Sequence, residues 1–303
     1  METPAILGKS TAIKHLLAFI NRASSTDSNI LILGETGVGK DLAAKAIHCL
    51  SARKNGAFVK INCGNLSETL IESELFGYQK GAFTGAFTNK AGLIETANHG
   101  TFFFDEIADI GLSPQAKLLS VIEDRQLRRI GENSSHYVDT RFIFATNKDL
   151  SGLVSRGRFR EDLYYRIFIL AIRIPPLRER KEDIPLLVEA IIDKENQKRS
   201  NYFTITDEAM NKIIKHSFPG NVRELENIII RAIDLSGGNK IRDSDISFQR
   251  VLQKGELINK ERRTKIMNIL VKCKGNKTAV ARELGISRVH LYRLLKADKI
   301  EYS

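Results

Sequence analysis

Gly34-Glu35-Thr36-Gly37-Val38-Gly39-Lys40 is the stretch of this sequence whose residue types and spacing speak most directly of chemistry. Its glycines let the backbone turn tightly. The N–H groups of Gly37 to Lys40 then converge on one point, with the positive end of a following helix behind them. That is a phosphate site, and Lys40 has the reach to hold the β- and γ-phosphates of a nucleotide such as ATP. Asp41 follows, where a Ser or Thr more commonly holds Mg2+; a carboxylate also serves that ion, directly or through water. Further along, Thr101-Phe102-Phe103-Phe104 runs into Asp105-Glu106. A carboxylate pair at the tip of a buried strand suits Mg2+ on Asp105 and an attacking water polarised by Glu106. Asn147, after the apolar run 141–146, is either a γ-phosphate sensor or a turn residue. Arg160 and Arg166 pair with acids on their own surface or reach the phosphates of a neighbouring subunit.

These groups meet only if strands deliver them to one edge of a sheet. Residues 30–33, 57–62, 101–104, 141–146 and 167–174 read as buried strands. Helices are expected over 6–22, 42–50, 91–97 and 159–166, over 67–76 capped by Ser67, and from Ser113-Pro114 to 123 by cap and first-turn proline. Residues 126–138 suit a hairpin or loop excursion. Alternating strand and helix is an α/β fold with a parallel sheet flanked by helices. Pro175-Pro176 breaks that pattern. Helices over 184–195, from a Thr206 cap to 216, and from an Asn221 cap to 235 then form an all-α lid, from which Arg223 can reach the nucleotide. The domains expected are 6–174, an α/β ATPase subdomain; 175–238, the lid; 239–259, a linker; and 260–303, a helix-turn-helix.

Between the two phosphate elements lies an insertion that a phosphate-binding fold does not need. Residues 72–88 contain Gly81-Ala82-Phe83-Thr84-Gly85-Ala86. Glycine near both ends makes the segment a hinged loop with Phe83 and Thr84 at its tip. An aromatic there contacts a partner, unless it tucks back into the core.

With 303 residues and 42% hydrophobic content the chain suits two or three soluble domains. Three scattered cysteines make neither a disulfide framework nor a metal site, and no apolar run spans a membrane. The N-terminus has no signal-peptide pattern. These features place the chain in the cytoplasm. Net charge is +11, and residues 255–303 hold twelve Lys/Arg against five Asp/Glu. There the pattern is helix, Gly275-Asn276 stop and cap, a helix over 277–284, Gly285, and a third helix from Ser287 to 296. That is a helix-turn-helix with DNA as its partner. Leu291 and Leu295 face inward, leaving Arg288, His290, Tyr292, Arg293 and Lys296 for DNA, with Ser287 and Lys277 at the helix starts.

The chain resembles the bacterial enhancer-binding proteins, the AAA+ activators of sigma-54 RNA polymerase. The resemblance runs from about residue 6 to 300 and is carried by ESELFG, the 81–86 loop, DEI, ATN, FREDLYYR, PPLRER, PGNVREL and LGISR, in the family's order. It implies a ring, a hexamer in the family, with ATP and Mg2+ between subunits. Arg160 and Arg166 are then the trans arginines and Arg223 the second sensor. Asn62 is the residue that holds the catalytic glutamate off. Residues 81–86 engage sigma-54 to open the promoter complex, and a Fis-type helix-turn-helix binds enhancer DNA.

Departures from the pattern are Asp41 for Glu, Val38 for Thr, Asn98-His99 before Gly100, and Phe218 for Trp. Only about six residues precede Leu7-Gly8, where most relatives carry a sensor domain. A regulatory protein acting in trans, constitutive activity or a truncated chain are the alternatives. Two rival functions are a DNA-binding regulator with a vestigial ATPase and a AAA+ remodeller such as a helicase loader. The loop and Asp105-Glu106 argue against the first. The loop and the basic tail argue against the second.

Overall fold

The computed structural model describes residues 4–199, 201–248, 269–270, 272–273, 276–284 and 291. They belong to two compact units, Met1–Ser247 and Phe248–Ser303. In the first, five strands form one sheet: β1 (Ile30–Leu33), β2 (Phe58–Asn62), β3 (Thr101–Asp105), β4 (Arg141–Thr146) and β5 (Leu170–Arg173). Their order is β2-β3-β4-β1-β5 and every pairing is parallel.

Alternation along the strands makes two cores. Leu31, Ile61, Phe102, Phe104, Phe142 and Phe144 point to one face, beneath Ile71, Leu75, Leu118 and Leu163 from the helices after β2, β3 and β4. Ile30, Ile32, Phe103, Ile143 and Ala145 point to the other, against the Thr11–Ser24 and Lys40–Cys49 helices. Crossover helices on both sides are what a parallel sheet requires, and they explain why its strands read as continuous apolar runs. Each buried Phe, Leu or Ile side chain contributes roughly 1.5–3 kcal/mol relative to exposure.

Several boundaries differ from the sequence reading. The first helix starts at Thr11, not at residue 6, because Ser10 caps it by accepting from Ile13 N. Asp183 fixes the approach by accepting from the N–H groups of Lys9 and Ser10. The fifth strand begins at Leu170, and Ile167 ends the preceding helix. The Leu112–Asp124 helix starts one residue before Ser113, which is not its cap; Pro114 fits its first turn, where an N–H has no partner anyway. Ser67 holds the cap position of the Glu68–Phe76 helix without a side-chain bond to it. Residues 90–91 pair as a strand, so the next helix is only Leu93–Thr96. Residues 126–127 and 136–137 form the expected hairpin.

The lid comprises the Ile184–Arg199, Asp207–Ile214 and Asn221–Leu235 helices. Thr206 caps the second by accepting from Ala209 N. Inside the stretch expected to be a linker, Lys240–Ile241 pairs with Thr204–Ile205, and Ile241 and Ile246 are buried. In the second unit, Asn276 caps the Lys277–Glu283 helix by accepting from Thr278 N and Ala279 N. Leu270, Val280, Ala281 and Leu291 are buried together there. Leu295 and the third helix of that unit lie outside the described residues.

Candidate active site

The carboxyl ends of β1, β2, β3 and β4 bring the site together, as parallel sheets generally do. β1 runs into residues 34–40. Asn62 ends β2 and pairs in register with Asp105, the last residue of β3. Asn147 follows β4. Between them lies a cleft of about 440 Å³, lined by Thr36, Gly37, Gly39, Lys40, Asp41, Asn62, Asp105, Glu106, Asn147 and, from the lid, Arg223. Gly34, Glu35 and Val38 lie outside that lining. Val38 is buried behind it, and Glu35 faces the lid.

Every acid on the cleft floor has a cationic partner. Lys40 is only 7% exposed; its Nζ donates to Gly34 O at 2.9 Å and to Glu106 Oε1 at 3.1 Å. Glu106 Oε2 accepts from Asn147 N at 3.0 Å. Glu106 has φ +55°, a left-handed conformation that costs a non-glycine residue energy and aims its carboxylate back over the loop. Asn147 Nδ2 donates to Thr36 Oγ1 at 3.0 Å, tying the β4 tip to the phosphate loop. Lys148 pairs with Asp109. Lys60, unmarked by the motif reading, bridges Asp41 and Asp105, at 3.0 Å from Asp105 Oδ2. Burial works against its ammonium, but hydrogen bonds to Asp41 and Asp105 outweigh that and hold its pKa above the usual lysine value. Next to them, burial first and then the surrounding carboxylates push the Cys63 thiol up to about 12.

Asn62 differs from what the resemblance implied. Its Nδ2 donates to Asp105 Oδ2 at 3.1 Å, and Glu106 is held by Lys40 and Asn147 instead. The cause is local: Asn62 Oδ1 accepts from Gly64 N at 3.0 Å, which turns the amide nitrogen toward its register partner. Arg160 and Arg166 do not line the cleft of their own subunit. Arg160 makes a two-point contact with Asp162, at 3.0 and 2.7 Å, and Arg166 lies 4.0 Å from Glu123.

The lid grips the phosphate loop directly. Asn221 is not the expected helix cap; Gly220 holds that position, and Asn221 is fully buried at φ +55°. Its Nδ2 donates to Glu35 Oε2 and Thr36 O, both at 3.1 Å, and its Oδ1 accepts from Leu177 N at 2.8 Å. Asn tolerates the left-handed region better than most residues, so the sequence reading saw the right preference and the wrong use. Val222 N donates to Gly37 O at 3.0 Å. A Cβ on Gly37 would collide with Gly220 O, so this contact needs glycine. Arg178 pairs with Glu35 at 2.8 and 2.6 Å and holds that carboxyl at about 2, against the cost of desolvation. The pair's contribution is complete above the ordinary glutamate value of 4.5 and is lost as pH falls through about 2. Asn221→Ala strands buried polar groups and puts Ala in a left-handed position, so a loss of roughly 2–4 kcal/mol in urea unfolding is expected. An unchanged midpoint would rule out this clamp as a stability element.

Beside the cleft is an apolar cavity of about 390 Å³ between the loop and the lid, lined by Ile6, Leu7, Val38, Leu42, Leu187 and Ile191 among others. Motif reading missed it; the available signal was the apolar Ile6-Leu7 pair ahead of the first helix.

Residues 81–86 stand on a hairpin whose strands are Gly77–Tyr78 and Lys90–Ala91. Gly81 N donates to Ala86 O at 2.9 Å and closes the loop, with Gly81 and Gly85 at positive φ. Phe83 does not enter the core. It is 46% exposed and leans edge-on against Tyr78 with ring centroids 5.0 Å apart, while Phe87 is 82% exposed. Ala82 is half-buried, Thr84 exposed and Ala86 buried. Lys277 opens the described helix of the second unit. Ser287, Arg288, His290, Tyr292, Arg293 and Lys296 lie outside the described residues.

Comparison with known proteins bears on this site. A family profile described as "Sigma-54 interaction domain" matches residues 6–173, "AAA+ ATPase lid domain" matches 178–262, and "Bacterial regulatory protein, Fis family" matches 263–297. Transcriptional regulatory protein ZraR of Escherichia coli (strain K12) is 42% identical over 95% of this chain and 69% of its own length. The Nif-specific regulatory protein of Herbaspirillum seropedicae is 46% identical over 81% of this chain and 45% of its own length. Among solved structures, NtrX from Brucella abortus in complex with ATP superposes with a TM-score of 0.75 at 30% identity, covering 98% of this chain and 70% of NtrX. A mutant RuvB of Thermotoga maritima, at 18% identity and a TM-score of 0.54 over 93% of this chain and 84% of its own, shares the fold. With an ATPase domain, a lid and a Fis-type carboxyl-terminal domain matched in that order along one chain, this protein belongs to the sigma-54-interacting AAA+ ATPases that regulate transcription.

Proposed function

We propose that this protein activates transcription by coupling ATP hydrolysis in a ring of subunits, probed first as a hexamer, to remodelling of sigma-54 RNA polymerase from a closed to an open promoter complex, while its carboxyl-terminal helices hold enhancer DNA. The observation that carries the reading is a connection. The Glu68–Phe76 helix begins just after Gly64 and Asn65, which line the cleft, and ends at the hairpin bearing residues 81–86.

In this mechanism Gly34 to Lys40 cradle the phosphates, and the apolar cavity beside Val38 takes the adenine. Lys40 leaves Glu106 for the β- and γ-phosphate oxygens. Asp41 and Asp105 would hold Mg2+. Their oxygens already share one cation, the Lys60 ammonium, so a single ion between them fits the donor set. A magnesium ion there would neutralise phosphate charge. Glu106, released by Lys40, takes the proton of the attacking water, and Asn147 and Arg223 sense the γ-phosphate. Arg160 and Arg166 act on the cleft of the next subunit, since neither lines its own. Asn62 relays engagement of the loop to the acids. Phe83 and Thr84, exposed at the loop tip, press on sigma-54. In the second unit the DNA-contact set is Lys277, Ser287, Arg288, His290, Tyr292, Arg293 and Lys296. Any partner protein that regulates this activity in trans would act upstream of these steps. The role sets the location, the cytoplasm, where promoter DNA and RNA polymerase are found. Among the described residues no helix is long and apolar enough to cross a membrane.

The test is complex formation with sigma-54 in ADP plus aluminium fluoride, against ADP alone. A complex in the first condition only is expected. Thr84→Ala should abolish that complex and open-complex formation while leaving ATP turnover within about two-fold, because its exposed side chain supports no core packing. Normal transcription by this variant would remove the loop from the mechanism.

A further inference from the structure

Lys60 sits in the middle of β2, the edge strand of the sheet, and its side chain, about one-third exposed, turns to two carboxylates of the cleft. It lies two positions before Asn62, so both side chains leave β2 on the same face, toward the first turn of the Lys40–Cys49 helix. Its Nζ passes 5.5 Å from the Phe103 ring centroid and ends between Asp41 and Asp105. Asp105 Oδ2 thus receives Lys60 at 3.0 Å and Asn62 Nδ2 at 3.1 Å. Without such a cation, the two carboxylates would face each other with no opposite charge between them.

We propose that Lys60 is an intramolecular stand-in for the divalent cation: its ammonium holds the point shared by Asp41 and Asp105 until a metal ion displaces it. This inference rests on the reading of Asp41 and Asp105 as the metal-holding pair. Lysine suits the task, because its charge sits on a flexible stem that can swing aside without moving the strand. The stand-in offsets the repulsion between the acids and keeps the site organised before nucleotide arrives. It also sets a threshold, since the metal must compete with a tethered charge. Metal delivered already bound to nucleotide phosphates competes best, as those oxygens add ligands that Lys60 cannot offset. The device therefore couples metal entry to nucleotide entry.

The experiment is Mn2+ binding to the full chain without nucleotide, read by the electron paramagnetic resonance signal of free Mn2+. Lys60→Met and, as a second variant, Lys60→Gln remove the ammonium. Each should bind Mn2+ about tenfold more tightly than the unaltered protein, because the site regains two unpaired carboxylates. Circular dichroism identifies whichever variant keeps the fold, and both keep enough of the stem to preserve packing on Phe103. Chelation by EDTA should lower the melting temperature of the Lys60 variants, restored by Mn2+, and leave the unaltered protein unmoved. Equal or weaker Mn2+ binding by the folded variants would overturn the stand-in role. The double variant Lys60→Met, Asp105→Asn separates this from failure of the underlying reading. Loss of the tightened binding supports the proposal, and retention of it would show that the metal site lies elsewhere and overturn both.

Discussion

Glu106→Gln is expected to leave ATP bound and to stop its turnover. Glutamine keeps the size and the acceptor oxygen of glutamate but cannot take a proton from water, so a loss of about 10²–10⁴-fold in kcat is expected. Nucleotide affinity, followed with a fluorescent ATP analogue, should change only a few-fold, because the phosphate loop and Lys40 are untouched. One secondary effect follows from geometry. The carboxylate now accepts from both Lys40 Nζ and Asn147 N, at 3.1 and 3.0 Å. A glutamine amide can accept at only one of its two ends, so one of these bonds must break. The variant should therefore hold Lys40 or Asn147 less firmly and, if anything, favour the nucleotide-bound state. Turnover at the unaltered rate would mean that another group activates the water.

Arg160→Ala should cost still more, on the order of 10³–10⁵-fold in kcat, if Arg160 serves the neighbouring site as a trans arginine does. Stability should hardly move. The guanidinium and its Asp162 partner are both more than 40% exposed, and a surface pair of that kind adds little to stability. The decisive measurement mixes subunits. Arg160→Ala chains retain Glu106, and Glu106→Gln chains retain Arg160, so mixed rings contain interfaces with both groups intact. Recovery of ATPase activity on mixing establishes action in trans. Additive inactivity would confine Arg160 to its own subunit and to the contact with Asp162.

The fold was largely readable from the sequence because its information is local and repeated. The runs 30–33, 101–105 and 141–146 are apolar enough to be strands buried on two faces, and Lys40 and Glu106 follow at their tips. What escaped depends on contacts between distant residues. Lys60 looked like one polar position in an alternating edge strand, and its acidic partners come from elsewhere in the chain, the first turn of the Lys40–Cys49 helix and the tip of β3. Asn221 carried a helix-cap preference, and the close approach of Gly37 to Gly220 claimed it for the lid clamp instead. Asn62 is at the position the resemblance marked, but its hydrogen bonds follow the register of β2 against β3. The apolar cavity is assembled from residues 6–7, 38–42 and 187–191, and no local pattern joins those segments.

The loop of residues 81–86 has a mechanical character that its glycines alone would not suggest. Its base is braced by the second hairpin: Gln79 N donates to Ile130 O at 3.0 Å and Ile130 N to Gly77 O at 2.9 Å. Gly131 packs so close to Ala82 that an added Cβ would sit 2.8 Å from the alanine methyl. The Glu68–Phe76 helix, nine residues and so about 13 Å long, joins this base to the cleft. Together these parts make a short strut ending in a cantilever, hydrogen-bonded at its root and turned at its tip by Gly81 and Gly85. In the proposed mechanism this strut would carry a shift beside Asn65 out to the exposed ring of Phe83, and a push on that ring back to the cleft, along one path.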